Sequence, residues 1–205
     1  MAKHFLFLLV PILLLVESGV AQTRREQTKP AQVKSGITDV RRIDFLNFTY
    51  QSSLCSEVFG IPKTVKVRRG KFQNNDFYYR VAAKKIIYGD VTADGREDAI
   101  VHIRCGGFAG NFSDSEIFIY TLQNRRAKLL AELDSKDMER DYIRYYPGGF
   151  LVGITNNGVK VESGHLVIEM FAEGSNATPE YIATLDYELS GASLALSGKP
   201  KRRHT

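Results

Sequence analysis

Beyond residue 62 the apolar positions fall at every second residue in short runs, and each run is closed by Gly, Asn or Asp. A period of two is the pattern of a strand with one buried face. The clearest run spans 180–189: Tyr181, Ala183, Leu185, Tyr187 and Leu189 point one way, and Ile182, Thr184, Asp186 and Glu188 the other. Over 99–105, Val101, Ile103 and Cys105 share one face, with Ile100, His102 and Arg104 on the other. The same reasoning predicts strands over 64–69, 77–88 with a bend near Ala82 and Ala83, 142–146, 150–155, 158–162 and 165–171. It also predicts a hairpin from 116–122 and 126–133 turning at Gln123 and Asn124, and a short closing strand over 193–196. An earlier strand is expected over 43–50, where Ile43, Phe45, Phe48 and Tyr50 alternate with polar neighbours after a slip at Leu46.

Helix is almost absent from this pattern. The short polar stretch 134–141 is the one plausible helix, and 52–59 reads either as a brief helix ending at Gly60 or as a loop. Strands at intervals of roughly 8 to 15 residues with tight turns predict an all-β fold. The expected architecture is a single antiparallel sandwich or a strongly curled, propeller-blade-like sheet. No motif recurs along the chain, which argues against a full propeller.

The two ends read differently from the middle. Lys3 and His4 precede an apolar stretch over 5–16, and Gly19, Val20 and Ala21 form the small-residue pattern of a signal-peptide cleavage site. A membrane-spanning helix needs about 20 apolar residues, and Glu17 stops this run short of that. The expected organisation is a signal peptide over 1–21, a disordered polar leader over 22–42, one β-domain over 43–198 and a frayed basic tail over 199–205. That places the protein outside the cytoplasm, periplasmic or secreted, without a membrane span. The sequons at Asn47, Asn111 and Asn176 would matter only in a eukaryotic secretory pathway.

Charge adds little. The chain has 28 Lys and Arg against 23 Asp and Glu, and the bases are scattered among the acids. Such interleaving gives no reason to expect nucleic acid as a partner. Cysteine usage says more. Cys55 and Cys105 are the two cysteines of the chain, both beyond the cleavage site, and an even count in an oxidising compartment makes one disulfide the default over two buried thiols.

The most distinctive chemistry lies over 90–98, between the strands 85–88 and 99–105. Counting from Asp90, side-chain oxygens fall at positions one, three, five and nine through Asp90, Thr92, Asp94 and Asp98. Gly95 at position six lets the backbone turn sharply, so the Arg96 carbonyl at seven can face inward. An EF-hand would need an acid at position twelve, where Val101 stands. The alternative is a tight acidic turn in which the Asp side chains accept backbone N–H groups without a metal.

The pattern Asp-x-Thr-x-Asp-Gly-x-x-Asp, preceded by Tyr88 and Gly89 and followed by Ala99, Ile100 and Val101, resembles the calcium loop of FG-GAP and VCBS-type repeats. In that family the loop joins two antiparallel strands of a propeller blade. The resemblance implies calcium as a structural cofactor, held by Asp90, Thr92, Asp94, Asp98 and the backbone of Arg96. This chain departs from the family at Thr92, where Asn or Asp is usual, and at Ala93, where Gly is usual. The version it most resembles is the single-copy one of exported bacterial proteins.

Nothing else reads as an active site. His102 and His165 sit mid-strand beside apolar residues, and no nucleophile elbow, zinc motif or phosphate-cradling loop is present. The aromatic group from Phe77 to Tyr79 with Tyr142, Tyr145, Tyr146 and Phe150 fits core packing better than a ligand platform. The expectation is a non-enzymatic β-domain that presents loops or a sheet face to a protein or glycan partner outside the cytoplasm. The alternatives are an envelope-polymer hydrolase using Asp90, Asp98 or His102, and a binder of anionic glycans.

Overall fold

The computed structural model describes residues 38–205 apart from Asn111 and Asn176, so the stretch expected to be a signal peptide, most of the expected leader and two of the sequons lie outside the described residues. Most of the alternating runs become antiparallel strands. A small sheet pairs β1 (Thr49–Gln51) with β2 (Thr64–Lys66), and α1 (Leu54–Phe59) lies between them in sequence. Next come β3 (Lys71–Gln73), β4 (Phe77–Val81), β5 (Ile87–Gly89), β6 (Asp98–Gly107), β7 (Ser113–Gln123) and β8 (Arg126–Asp134). They form a central sheet in the order β3-β4-β6-β7-β8, with β5 following β4 along the same edge of β6. After α2 (Ser135–Ile143), the strands β9 (Leu151–Glu162), β10 (His165–Gly174), β11 (Pro179–Ser190), β12 (Ser193–Leu196) and β13 (Lys201–His204) build a third sheet.

The central sheet is covered on both faces. Along β6, Val101, Ile103 and Cys105 join a core with Phe45, Tyr50 and Val65 from the N-terminal segment. The alternate residue Ile100 joins a second core with Leu166, Ile168 and Leu185 from the third sheet. Burial on both sides explains why β6 and β7 are apolar almost continuously. The sheets are open and stack as a sandwich, as the strand pattern predicts.

Five local expectations need correction. The stretch 43–50 is not one strand: the Asp44 carboxylate accepts the N–H groups of Leu46 and Asn47 and winds Phe45–Asn47 into a 3₁₀ turn. The order begins earlier than the leader suggests, because Val40 is buried in the core, in a 3₁₀ turn capped by Asp39. Residues 142–143 are helical, because Met138 and Tyr142, four apart, are buried together and Asp134 caps the helix start through the Asp137 N–H at 2.9 Å. The strands expected at 150–155 and 158–162 are a single strand, β9, interrupted by a bulge. The basic tail is a strand rather than frayed: Lys201–His204 pairs with β11, and the Arg202 guanidinium lies 3.9 Å from the Tyr181 ring centroid and 3.1 Å from Glu173. The aromatic group divides, with Tyr79 and Tyr142 fully buried and Tyr145 and Phe150 partly exposed.

Candidate functional site

The acidic stretch closes the hairpin between β5 and β6, with Gly89 paired to Asp98 at its base. The start of the loop is held by packing. A Cβ on Gly89 would stand 2.6 Å from the Val161 Cβ of β9, so only glycine allows the two strands this close. Val91 is buried in the core between the central and third sheets.

Within the loop two carboxylates turn inward. Asp90 accepts the N–H of Asp94 at 3.1 Å and that of Gly95 at 2.8 Å. This curl is possible because Ala93 and Gly95 have φ of 56° and 81°, in the left-handed region. Asp98 accepts the N–H groups of Val91 and Thr92, each at 3.1 Å, through Oδ2. The Thr92 hydroxyl stands between them, 3.2 Å from Asp90 Oδ1 and 3.2 Å from Asp98 Oδ2.

A hydroxyl carries one proton, so it can donate to only one of these two oxygens. The other contact brings lone pairs together. Asp98 is fully buried, and its Oδ1 makes no hydrogen bond. Burial pushes the Asp98 carboxyl above the usual carboxylate range, against the pull of the neighbouring Thr121 hydroxyl and the N–H groups of Thr92 and Val91.

Asp94 faces elsewhere. Its carboxylate accepts the Arg96 N–H at 2.9 Å and the Arg96 guanidinium at 2.6 Å, and these hydrogen bonds hold its pKa below the ordinary value. Of the five predicted ligands, Asp90, Thr92 and Asp98 are therefore gathered, while Asp94 is turned to Arg96. Among the described residues no three His, Cys, Asp or Glu side chains stand close enough to hold a metal ion. The oxygens of Asp90, Thr92 and Asp98 fit a hard cation on one observation, the single hydroxyl proton shared between two carboxylates.

Residue Arg41, assigned to the leader by composition, reaches this region. Its guanidinium pairs with Glu97 at 2.5 Å and lies 4.3 Å from the Tyr88 ring centroid.

The expected disulfide joins Cys55 and Cys105, with Cα atoms 6.0 Å apart. Beside it is a buried acid that the strand pattern hides. Glu116 accepts the Ser52 hydroxyl at 3.0 Å, the Cys55 N–H at 2.9 Å and the Tyr79 hydroxyl at 3.1 Å. Its signal in the sequence is a lone acid directly before Ile117, Phe118 and Ile119.

Of the two strand histidines, His165 pairs with Asp186 at 2.7 Å near the surface. His102 is buried with Nε2 3.0 Å from the Ser115 hydroxyl. Burial, reinforced by Arg104, lowers its pKa to about 3, so the ring is neutral at neutral pH. Ser115 is its hydrogen-bond partner among the described residues, and no carboxylate orients the ring as a general base requires.

The chain matches no family model, no curated protein and no solved structure.

Proposed function

We propose that the chain is a non-enzymatic binding module acting outside the cytoplasm, with its acidic loop serving as a structural site for a divalent cation, calcium by its oxygen ligands. The observation that carries the cation reading is the Thr92 hydroxyl, placed at 3.2 Å from two carboxylates with one proton to give. Bound there, a divalent cation supplies the positive charge that these crowded oxygens lack. Asp90, Thr92 and Asp98 are the residues that hold it. Asp94 joins them by leaving Arg96, an exchange between exposed partners. The loop fixes the alignment of β5 on β6, so the role is structural.

Two further features support the binding reading. A disulfide fits an oxidising compartment. The β6–β7 loop exposes Phe108 and Phe112, the latter 83% accessible. On this reading His102, buried and neutral beside Ser115, is half of a packed polar pair.

Calorimetric titration with calcium tests the cation reading. The expected dissociation constant lies at roughly 0.1 to 1 mM, as for other extracellular sites, and Asp90→Asn abolishes the heat. Equal heats from both proteins would contradict it.

A further inference from the structure

Arg80 on β4 and Arg104 on β6 are direct cross-strand partners, and Lys71 on β3 continues the row. Side chains at paired positions project from the same face, so three cations stand abreast on three neighbouring strands. Like charges directly opposite destabilise a sheet. Neither arginine is in an ion pair among the described residues. Arg80 lies 4.8 Å from the Tyr78 ring centroid, and Arg104 donates to the Ser113 hydroxyl at 3.2 Å.

This pair opens onto a cleft of about 940 Å³ between the central sheet and β9. Two broken strands make the cleft. On one side, β4 and β5 are separated by a 3₁₀ turn at Ala82–Lys84, with Ala83 at φ 50°. On the other, β9 bulges between Ile154 and Val159, with Asn157 at φ 60°. Left-handed backbone is costly at Ala83 and well tolerated at Asn157, and it falls on both walls of one opening. Lys85 also lines the cleft, and among the described residues no Asp or Glu does. Asn156 and Asn157 line the bulged wall, while Ile87 and Val159 provide apolar surface. A concave, half-apolar site with converging polar groups is the usual form of a small-ligand site.

We propose that Arg80 and Arg104 form an oxyanion site in this cleft, and that the ligand is an acidic small molecule or sugar unit presenting a carboxylate, sulfate or phosphate. Arginine forks match such groups with paired hydrogen bonds, and the anion relieves the repulsion between the two guanidinium groups. The proposal deepens the binding reading by naming a site and a ligand class. It rests on that reading but not on the cation loop, since the response to calcium and the response to anions are separate measurements.

The test follows thermal unfolding of the full chain at constant ionic strength while sodium phosphate, sodium sulfate or sodium glucuronate replaces sodium chloride. The wild-type protein shows a saturable rise in Tm with at least one of the three, and the effective probe identifies the oxyanion preferred. General salting effects grow without saturating. Arg80→Gln in chloride alone melts about 2 °C above wild type, because the like charge opposite Arg104 is gone, and it loses the saturable rise. Arg104→Gln loses the rise as well. A saturable rise retained in both variants, or none in the wild type with any probe, overturns the proposal.

Discussion

The Cys55 N–H donates to the buried Glu116 carboxylate at 2.9 Å while the Cys55 sulfur is bonded to Cys105, so one residue of α1 is tied to two adjacent strands, β7 and β6. The covalent and the hydrogen-bonded tie act on the same point. Together they fasten the N-terminal cover to the central sheet.

Glu116→Ala leaves the Ser52 hydroxyl, the Cys55 N–H and the Tyr79 hydroxyl without their acceptor in a dry site. Stranded buried donors are expensive, and a loss of about 3 kcal/mol or more is expected. Urea unfolding measures it. A loss below about 1 kcal/mol would mean that the three donors find other partners.

Breaking the disulfide acts on the unfolded chain. The two cysteines are 50 residues apart, and on the loop-entropy relation the bond contributes about 4 kcal/mol. The double variant Cys55→Ala, Cys105→Ala is expected to lose close to that amount in the same urea experiment. An unchanged unfolding midpoint would contradict it.

Ala93 holds a left-handed φ of 56° at the position where the resembled family has glycine. Relief of that strain outweighs the extra freedom of an unfolded glycine, so Ala93→Gly is expected to stabilise the fold by about 0.5 to 1 kcal/mol. A destabilised variant would show that the Ala93 methyl group has a packing role.

His102 sets a pH dependence of known sign. Unfolded, an imidazole binds a proton near its ordinary 6.5, whereas burial keeps the folded ring neutral down to about 3. The folded state thus holds fewer protons across that window. The contribution is complete above 6.5 and is lost as pH falls, at about 1.4 kcal/mol per pH unit. Buried carboxyls with raised pKa, such as Asp98 and Glu116, act in the opposite direction, and they are common to wild type and variant. Between pH 6.5 and 5 the wild type is expected to lose about 2 kcal/mol more than His102→Gln. Parallel stability profiles would show that the ring is protonated in the folded protein.

What could be read in the sequence was local. Alternation placed β10 and β11 correctly, because each buries one face of its sheet and a period of two survives there. It failed at Tyr142, where Met138 and Tyr142 carried a spacing of four that competed with a short aromatic run. The tail reads as solvated because Arg202 and its neighbours are charged, and pairing to β11 together with stacking on Tyr181 depends on a register set elsewhere. In the loop, the spacing of the acids marks Asp90 and Asp98 as side chains able to accept backbone N–H groups, but not the pairing of Asp94 with Arg96. The pairing of Arg80 with Arg104 joins residues on separate strands, and no local pattern marks which residues will stand opposite.

The most direct measurement of the central claim, that the oxygens of Asp90, Thr92 and Asp98 share one cation, is thermal unfolding with calcium and then with a chelator. At ten times the dissociation constant, binding adds about 1.4 kcal/mol, which for a domain of this size raises Tm by about 3 to 6 °C. Asp98→Asn, which removes the charge but keeps the side-chain shape, is expected to lose the whole rise. A wild-type melting curve that is the same in calcium and in chelator would contradict the claim and leave the loop as an acidic turn held by its own backbone.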